Sequence, residues 1–501
     1  MLRAVSAVTG DERVVVIGSG PPGAAAAVFL SRAGVEVLVL EAGSERAALG
    51  LTVRVGGLTV LKYRKPLKQR AGVSATGDAR AELHEEMSPG GLTNHWSGAV
   101  PRFSPDDFAD ASRAGEAFTW PLGYDDLSPW YSQVEPLLHI AGTRSDALQL
   151  PAGNVRHACE LGPDWAGPID AAGRSGRALL PMPYAYGADT TATLSGTVFN
   201  SFVRLIRPEQ RAGRVAVRFD TRVVRLEWSP EKRRVTAVIV RDASTGTEGR
   251  IPCRAVVVAA GAINTAQILL ESTSADFPEG LGNTHGVLGR YLHDHPIGKL
   301  VIELPSPKSI RPASYLTRPA LDRAAPLYAA ACMQWCNTSS LARSVLKGHP
   351  GRLDRIGFSV FGTQAPSKEN FVSTAGARAQ SGAPTLALHI RHPPESQKAL
   401  EAARDDLVEL LGRVGWEPKV DVWHVEPVGN SKHYGGTCRM HASPRFGMID
   451  AFGRMHAVRN VVVADSAAFT TGPEKNPVLT SMTLAARASH RLAEDMKHGD
   501  L

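Results

Sequence analysis

Several absences narrow this chain before any motif is weighed. Its five cysteines, Cys159, Cys253, Cys332, Cys336 and Cys438, are odd in number, scattered, and without a C-x-x-C pair. That pattern argues against a disulfide framework and against a paired-cysteine zinc site. No run of about twenty apolar residues occurs, and Ala24 to Leu30, the most apolar helix-like piece, is far too short to cross a bilayer. Met1 to Arg13 lacks the apolar core of a secretory signal, so the expectation is a cytoplasmic protein without a membrane span. Clustered basic charge is also lacking. The net charge of +7 is spread along the chain, with only a short tract from Tyr63 to Arg70, and nucleic acid is not an expected partner. There is no internal repeat and no low-complexity stretch of note.

With 501 residues, 43% of them hydrophobic and 21% charged, the chain can bury a large core and is long enough for two domains. Its first element is legible residue by residue. The β-branched run Arg13 to Ile17 suits a strand buried on both faces, and it leads through Gly18-Ser19-Gly20-Pro21-Pro22-Gly23 into an Ala-rich helix to Ala33. In that strand, turn and helix, Gly18 permits the turn and Gly20 lets backbone approach a pyrophosphate at the helix N-terminus. Gly23 lets helix pack on strand. A second strand, Val35 to Leu40, ends at Glu41, where a carboxylate can accept from both hydroxyls of an adenosine ribose. This is a dinucleotide site that NAD and FAD share. Metal ligation is not expected at His293 or His295, which alternate on a strand-like segment with no further ligands nearby.

Further along, Arg214 to Trp228 and Arg234 to Arg241 alternate like strands joined by a turn at Ser229-Pro230. Ala255 to Gly261 gives another buried strand running into a helix from Asn264 to Glu271. From about Lys299 to Val428 the βαβ rhythm is lost. Strand-like pieces at Leu327 to Trp335, Ile356 to Phe361 and Thr385 to His389, with a helix from Ser396 to Gly412, read as an antiparallel sheet backed by helices. Ser373 to Pro384 reads as a mobile loop or lid; His389 and His392 are candidates for polar contacts to a substrate, with a surface position the favoured reading of each. In Trp120 to Tyr131, Ser128 suits an N-cap and Pro129 the first helical position.

Three segments carry a family resemblance: Ser88-Pro89-Gly90-Gly91-Leu92-Thr93-Asn94-His95-Trp96, His433-Tyr434-Gly435-Gly436-Thr437-Cys438-Arg439-Met440, and Asn476-Pro477-Val478-Leu479-Thr480. Following a nucleotide signature in this order, they resemble the glucose-methanol-choline (GMC) oxidoreductases, FAD enzymes that oxidise alcohols. Asn94-His95-Trp96 is similar to the Thr-His-Trp of sugar-oxidising, pyranose-oxidase-like members. The resemblance implies an α/β fold: a Rossmann-like FAD domain from 10–60, 210–295 and 430–501, and a substrate domain from 61–209 and 296–429 with a flavin-covering segment at 88–98. It further implies FAD contacts from Gly90, Gly91, Asn94, Val224 beside the adenine, Gly261, Asp465 near the phosphates, and Pro477 and Thr480 at a helix start. At His95 it leaves two roles open, a covalent bond to the flavin 8α-methyl or packing on the ring.

Alcohol oxidation needs a base for the hydroxyl proton while the carbinol hydrogen leaves as hydride, and histidine meets that need. The resemblance assigns the base to His433 and the orientation of the oxygen to Asn476, with Cys438 and Arg439 as loop supports. The expected substrate is a sugar, glycoside or amino sugar, and the electron acceptor is oxygen or a carrier. The alternatives are an apolar alcohol such as a sterol, a flavin reductase that does not act on alcohols, and a nucleotide-binding protein without redox activity.

Overall fold

The structure is a computed structural model that describes residues 13–45, 52–55, 58–62, 68–69, 72–78, 83–109, 112–113, 115–185, 199–310, 312–319, 330–334, 348, 351–364, 366–378 and 384–501. A five-stranded parallel sheet forms one layer, in the order Val215–Arg218, Val37–Leu40, Val14–Ile17, Ala255–Val258, Val461–Val463. All four residues of Val14–Ile17 and of Ala255–Val258 are buried, as helices on both faces of a parallel sheet require of its strands. The glycine turn follows the central strand and opens helix Pro21–Arg32, against which the C-terminal helix Val478–His498 packs.

Val215–Arg218 therefore belongs to the parallel sheet, not to the hairpin that its alternation suggested. The hairpin is formed by Thr221–Ser229 and Arg234–Asp242, which pair antiparallel with Glu248–Pro252 alongside.

A second, six-stranded sheet runs Leu179–Pro181, Ser314–Leu316, Ala330–Gln334, Arg352–Gly362, Ile297–Ser309, Lys419–Val425, all antiparallel. Helix Pro394–Arg413 covers one face, burying Leu400, Leu407 and Leu411 against Leu300, Ile302, Phe358 and Val360. Because strand side chains alternate, the residues between these, Lys299, Ser359 and Phe361, face the other way. Lys299 pairs across the strands with Ser359, and Ile297 with Phe361. That second face is one wall of a cavity that also reaches the glycine turn.

Two local expectations are corrected. Ser373 to Arg378 is not a loop: it lies in strand Phe371–Arg378, paired with Pro384–Ile390, while 379–383 fall outside the described residues. Helix Tyr124–Leu138 starts a turn before Ser128, because the Asp126 carboxylate accepts from the Gly123 amide at 2.8 Å and caps it there. Pro129 is consequently inside the helix.

Candidate active site

A cavity of about 460 Å³ runs from the glycine turn to the antiparallel sheet. At the nucleotide end its walls are largely backbone. Gly18 has φ +96° and a Cβ there would lie 2.6 Å from the Ala259 carbonyl, so only glycine turns the chain this close to the next strand. A Cβ on Gly23 would meet the Gly18 carbonyl at 2.2 Å, which is the tight helix-to-strand packing expected of that position. Gly20 and Gly261 line the cavity, and a Cβ on either meets nothing within 4 Å. Pro21 and Pro22 occupy the first helical positions and bring no N–H, so the amides near this helix start come from Gly20 and Gly23.

Glu41 is buried at the cavity wall, accepting from the Ser19 hydroxyl and from the Gly43 amide at 2.8 Å. Burial raises its carboxyl above the usual range, and these hydrogen bonds oppose the rise. Ser19 also accepts from the Gly90 amide at 2.9 Å, tying the nucleotide turn to the 88–98 segment. Within that segment Gly91, Leu92, Thr93, His95 and Trp96 line the cavity. Gly90 and Asn94 do not; they support the turn from behind. Asn94 donates to the Gly91 carbonyl at 2.9 Å and accepts from Asn200 at 2.9 Å. Asn200, unnoticed in the sequence, also packs under Gly90. His95 Nε2 pairs with the Glu86 carboxylate.

Asp465 ends the last parallel strand, caps the Ala467 amide at 2.8 Å, and accepts from the Gly261 amide at 2.8 Å and the Thr265 hydroxyl at 2.6 Å. Burial raises its carboxyl, and those donors lower it. Two expected contacts are displaced by one residue. Val223 lines the cavity in place of Val224, beside a register shift between Val223 and Arg225. Ser481 lines it in place of Thr480, whose hydroxyl is buried against Tyr131 at 2.7 Å.

At the other end the walls are side chains. His433 and Asn476 come together on the cavity wall, His433 Nε2 lying 3.4 Å from Asn476 Nδ2. The loop carrying His433 is shaped by a different histidine. The buried His293 ring fills the space where Cβ atoms on Gly435, Gly436 and Gly472 would stand, at 2.5, 2.6 and 2.8 Å. Asp294 then accepts from the His433 amide at 2.7 Å, fixing that backbone. Asn476 follows Glu474 and Lys475, whose charges are buried with Asp107 and Arg318; Lys475 Nζ lies 2.7 Å from Asp107 and 2.8 Å from Glu474. The Asn476 amide oxygen is buried, with no hydrogen-bond partner among the described residues.

Burial, with Lys432 and Lys299 nearby, pulls His433 down to about 3. Its ring stacks on Phe361 at 5.6 Å and its Nδ1 lies 3.3 Å from His295 Nδ1. Burial pulls Lys299 down to about 8; its ammonium donates to Ser359 at 2.8 Å on the cavity wall. Neither Lys299 nor Ser359 was legible as a site residue, because a lysine in an alternating strand reads as solvent-facing. His392 is half-buried, its ring contacting the Asp294 carbonyl at 3.0 Å; His389 is also half-buried and stacks on Phe371. Neither reaches the cavity. Cys438 is buried, and burial raises its thiol so that it stays protonated. Among the described residues no group of three or more His, Cys, Asp or Glu is placed to hold a metal ion, and no helix is long and apolar enough to cross a membrane.

Residues 13–290, more than half of the chain, match the FAD binding domain family, and residues 366–485 match the GMC oxidoreductase family. The second match contains both His433 and Asn476. The chain is 26% identical to 2-methyl-1,2-propanediol dehydrogenase of Mycolicibacterium austroafricanum, over 95% of this chain and 94% of that protein. It is 25% identical to paromamine 6'-oxidase of Streptomyces fradiae, over 97% and 92%. In fold it resembles an FAD-dependent oxidoreductase from Chaetomium thermophilum, with a TM-score of 0.64 and 14% identity over 98% of this chain and all of that one. The residues at the nucleotide end fit the group that these matches imply: open glycines line the wall, and a buried carboxylate stands after the second strand. The chain belongs to the GMC oxidoreductases and is an FAD-dependent enzyme.

Proposed function

We propose that this enzyme oxidises a hydroxyl of a sugar, glycoside or similar polyol to a carbonyl, with His433 taking the hydroxyl proton and Asn476 orienting the oxygen. The observation that carries the reading is the pair of nitrogens, His433 Nε2 and Asn476 Nδ2, 3.4 Å apart on the wall of the cavity that the nucleotide signature also lines. A hydroxyl between them can donate to Nε2 and accept from Nδ2, which fixes its direction. Bound FAD would supply the two-electron acceptor for the carbinol hydrogen. Gly18, Gly20, Gly91, Gly261, Glu41, Asp465 and Pro477 would hold it, with Gly23, Gly90 and Asn94 shaping the turns behind them.

His433 is neutral at neutral pH, because burial holds it far below the ordinary imidazole value, and so its lone pair is available before turnover. The O–H bond of the substrate breaks toward Nε2, and Asn476 keeps hold of the oxygen as it becomes a carbonyl. The helix Val478–His498 begins just after Asn476, and its N-terminal dipole favours negative charge at this end of the cavity.

Lys299 and Ser359 favour a polyol over a sterol or fatty alcohol. An ammonium group covered by a hydrocarbon ligand would lose its hydration with nothing in return, whereas further substrate hydroxyls can accept from it. The relatives named for a diol and for an aminoglycoside agree with that preference. We assign residues 10–60, 210–295 and 430–501 to FAD binding and 61–209 and 296–429 to the substrate. His95, paired with Glu86, is the residue for a covalent flavin bond: after acid precipitation, colour in the pellet supports the bond and colour in the supernatant refutes it.

The deciding experiment follows the flavin absorption band anaerobically against sugars, aminoglycosides, aliphatic alcohols and sterols. Bleaching by a polyol is the expected result, and admitting air then separates oxidase from dehydrogenase. Bleaching by sterols alone would reverse the substrate class. His433→Ala should retain the yellow cofactor and reduce it roughly 10²–10⁴-fold more slowly. Normal turnover in that variant would remove His433 from the mechanism.

A further inference from the structure

We propose that His295 is a positioning residue that fixes the tautomer of His433, so that the nitrogen facing the cavity is the one that carries a lone pair. The proposal rests on the reading of His433 as the base. It starts from two contacts. The Nδ1 atoms of the two rings are 3.3 Å apart, and two neutral imidazoles can share such a contact only if one contributes an N–H and the other a lone pair. The remaining nitrogen of His433, Nε2, lies 3.4 Å from the Asn476 amide nitrogen, which can only donate. Nε2 is therefore the acceptor and the His433 proton sits on Nδ1. That proton is directed at His295 Nδ1, which must accept, so the His295 proton is on its Nε2. Reversing the Asn476 amide would invert every assignment in the chain and place an N–H where the substrate proton has to go.

The surroundings leave no substitute for His295. Among the described residues, neither ring is hydrogen-bonded to a carboxylate; Asp294, the carboxylate beside them, accepts from the His433 backbone amide and the Ser431 hydroxyl. The charged or titratable groups acting on His433 are Lys432 and Lys299, and those acting on His295 are His433, His293, His392 and Lys475. Burial holds both rings well below the ordinary histidine value, so both are neutral at neutral pH. A neutral imidazole partner orients the base through one hydrogen bond without raising its proton affinity as a carboxylate would. Phe361 secures the pair from the side, stacked on His433 and edge-on to His295. During turnover the substrate proton adds to His433 Nε2 while Nδ1–H stays bonded to His295, so no proton passes to the second ring.

The test combines two measurements on the full-length FAD-loaded enzyme. In protein labelled with nitrogen-15 histidine, the His433 shifts should report a protonated Nδ1 and an unprotonated Nε2; the opposite assignment overturns the proposal without any reference to catalysis. In anaerobic flavin reduction, His295→Leu should lower the limiting rate about 100-fold with FAD retained, whereas His295→Asn, whose amide oxygen can accept, should recover to within about tenfold of the parent enzyme. In His295→Asp the His433 nitrogen-15 shifts should titrate at least about one pH unit higher than in the parent enzyme, since a carboxylate at this place stabilises the protonated base. Equal losses in Leu and Asn, or no loss in either, would reduce His295 to a packing residue. If His433→Ala proves fully active, the base assignment fails, while the nitrogen shifts still decide the tautomer.

Discussion

The two ends of the cavity are built on opposite plans. At the nucleotide end glycines and backbone amides make the wall, and side chains such as Asn94 and Asn200 brace it from behind. At the sheet end the side chains of His433, Asn476, Lys299, Ser359 and Phe361 make the wall, and the buried His293 ring and Asp294 carboxylate hold the backbone that carries His433. One end is thus broken by adding atoms and the other by removing them. The first binds a group common to many enzymes, which needs close approach. In the proposed reaction the second distinguishes substrates and moves a proton, which needs particular functional groups at particular distances.

The comparison is tested hardest at Asn476. Asn476→Ala removes a hydrogen-bond donor from the oxygen that becomes a carbonyl, and the anaerobic rate of flavin reduction should fall roughly 10²-fold with FAD binding unchanged. Asn476→Leu keeps about the same size and loses the donor without adding a charge, so a comparable loss there would show that the N–H and not the packing matters. A substitution of the opposite kind is Gly20→Ala. A methyl there meets no protein atom within 4 Å, so the melting temperature of the cofactor-free protein should be unchanged. The FAD dissociation constant should nevertheless rise at least about tenfold, because the methyl would stand where backbone approaches the pyrophosphate. Gly18→Ala differs from it: with a carbonyl 2.6 Å away and φ +96°, it should lower the melting temperature as well. Unchanged FAD affinity in Gly20→Ala would separate this wall from the cofactor.

The same contrast explains what could be read from the sequence. The nucleotide end was legible because its signals are local: a β-branched run, three glycines at fixed spacing and a carboxylate after the next strand all lie within Arg13 to Glu41. The proposal of His433 and Asn476 comes from a family pattern, not from anything in their own neighbourhoods; what the structure adds is that the two side chains meet on the cavity wall. Misses of one residue, Val223 for Val224 and Ser481 for Thr480, arose where a bulge or a helical turn decides which neighbour faces inward. Ser373 to Arg378 reads as a loop because Gly, Ser and Ala are weak strand formers, whereas the pairing of strand Phe371–Arg378 with Pro384–Ile390 is a tertiary fact. Lys299 and Ser359 share a deeper reason. The face of a strand that meets a cavity is as polar as a face that meets water, and alternation cannot tell the two apart.

The smallest expected effect is also the one that isolates Lys299. His433, held at about 3, stays unprotonated across the working range and gives no limb between pH 5 and 8. Asp294 is pushed up to about 6 by burial; as pH falls through that value it takes a proton and accepts less strongly from the His433 amide, which gives a shallow acid limb. Lys299 is pulled down to about 8, so it is charged below that value and loses its charge as pH rises through it. The apparent kcat/KM for a polyol should therefore form a plateau between about 6 and 8. Its alkaline fall should reside in KM. In Lys299→Met, KM should be several-fold higher at neutral pH and the alkaline fall should vanish, while the limiting rate of flavin reduction stays within about twofold, since a rim hydrogen bond is worth about 1 kcal/mol. An alkaline limb that persists in Lys299→Met would move the titrating group away from the sheet wall and leave the wall with a purely steric part in choosing the substrate.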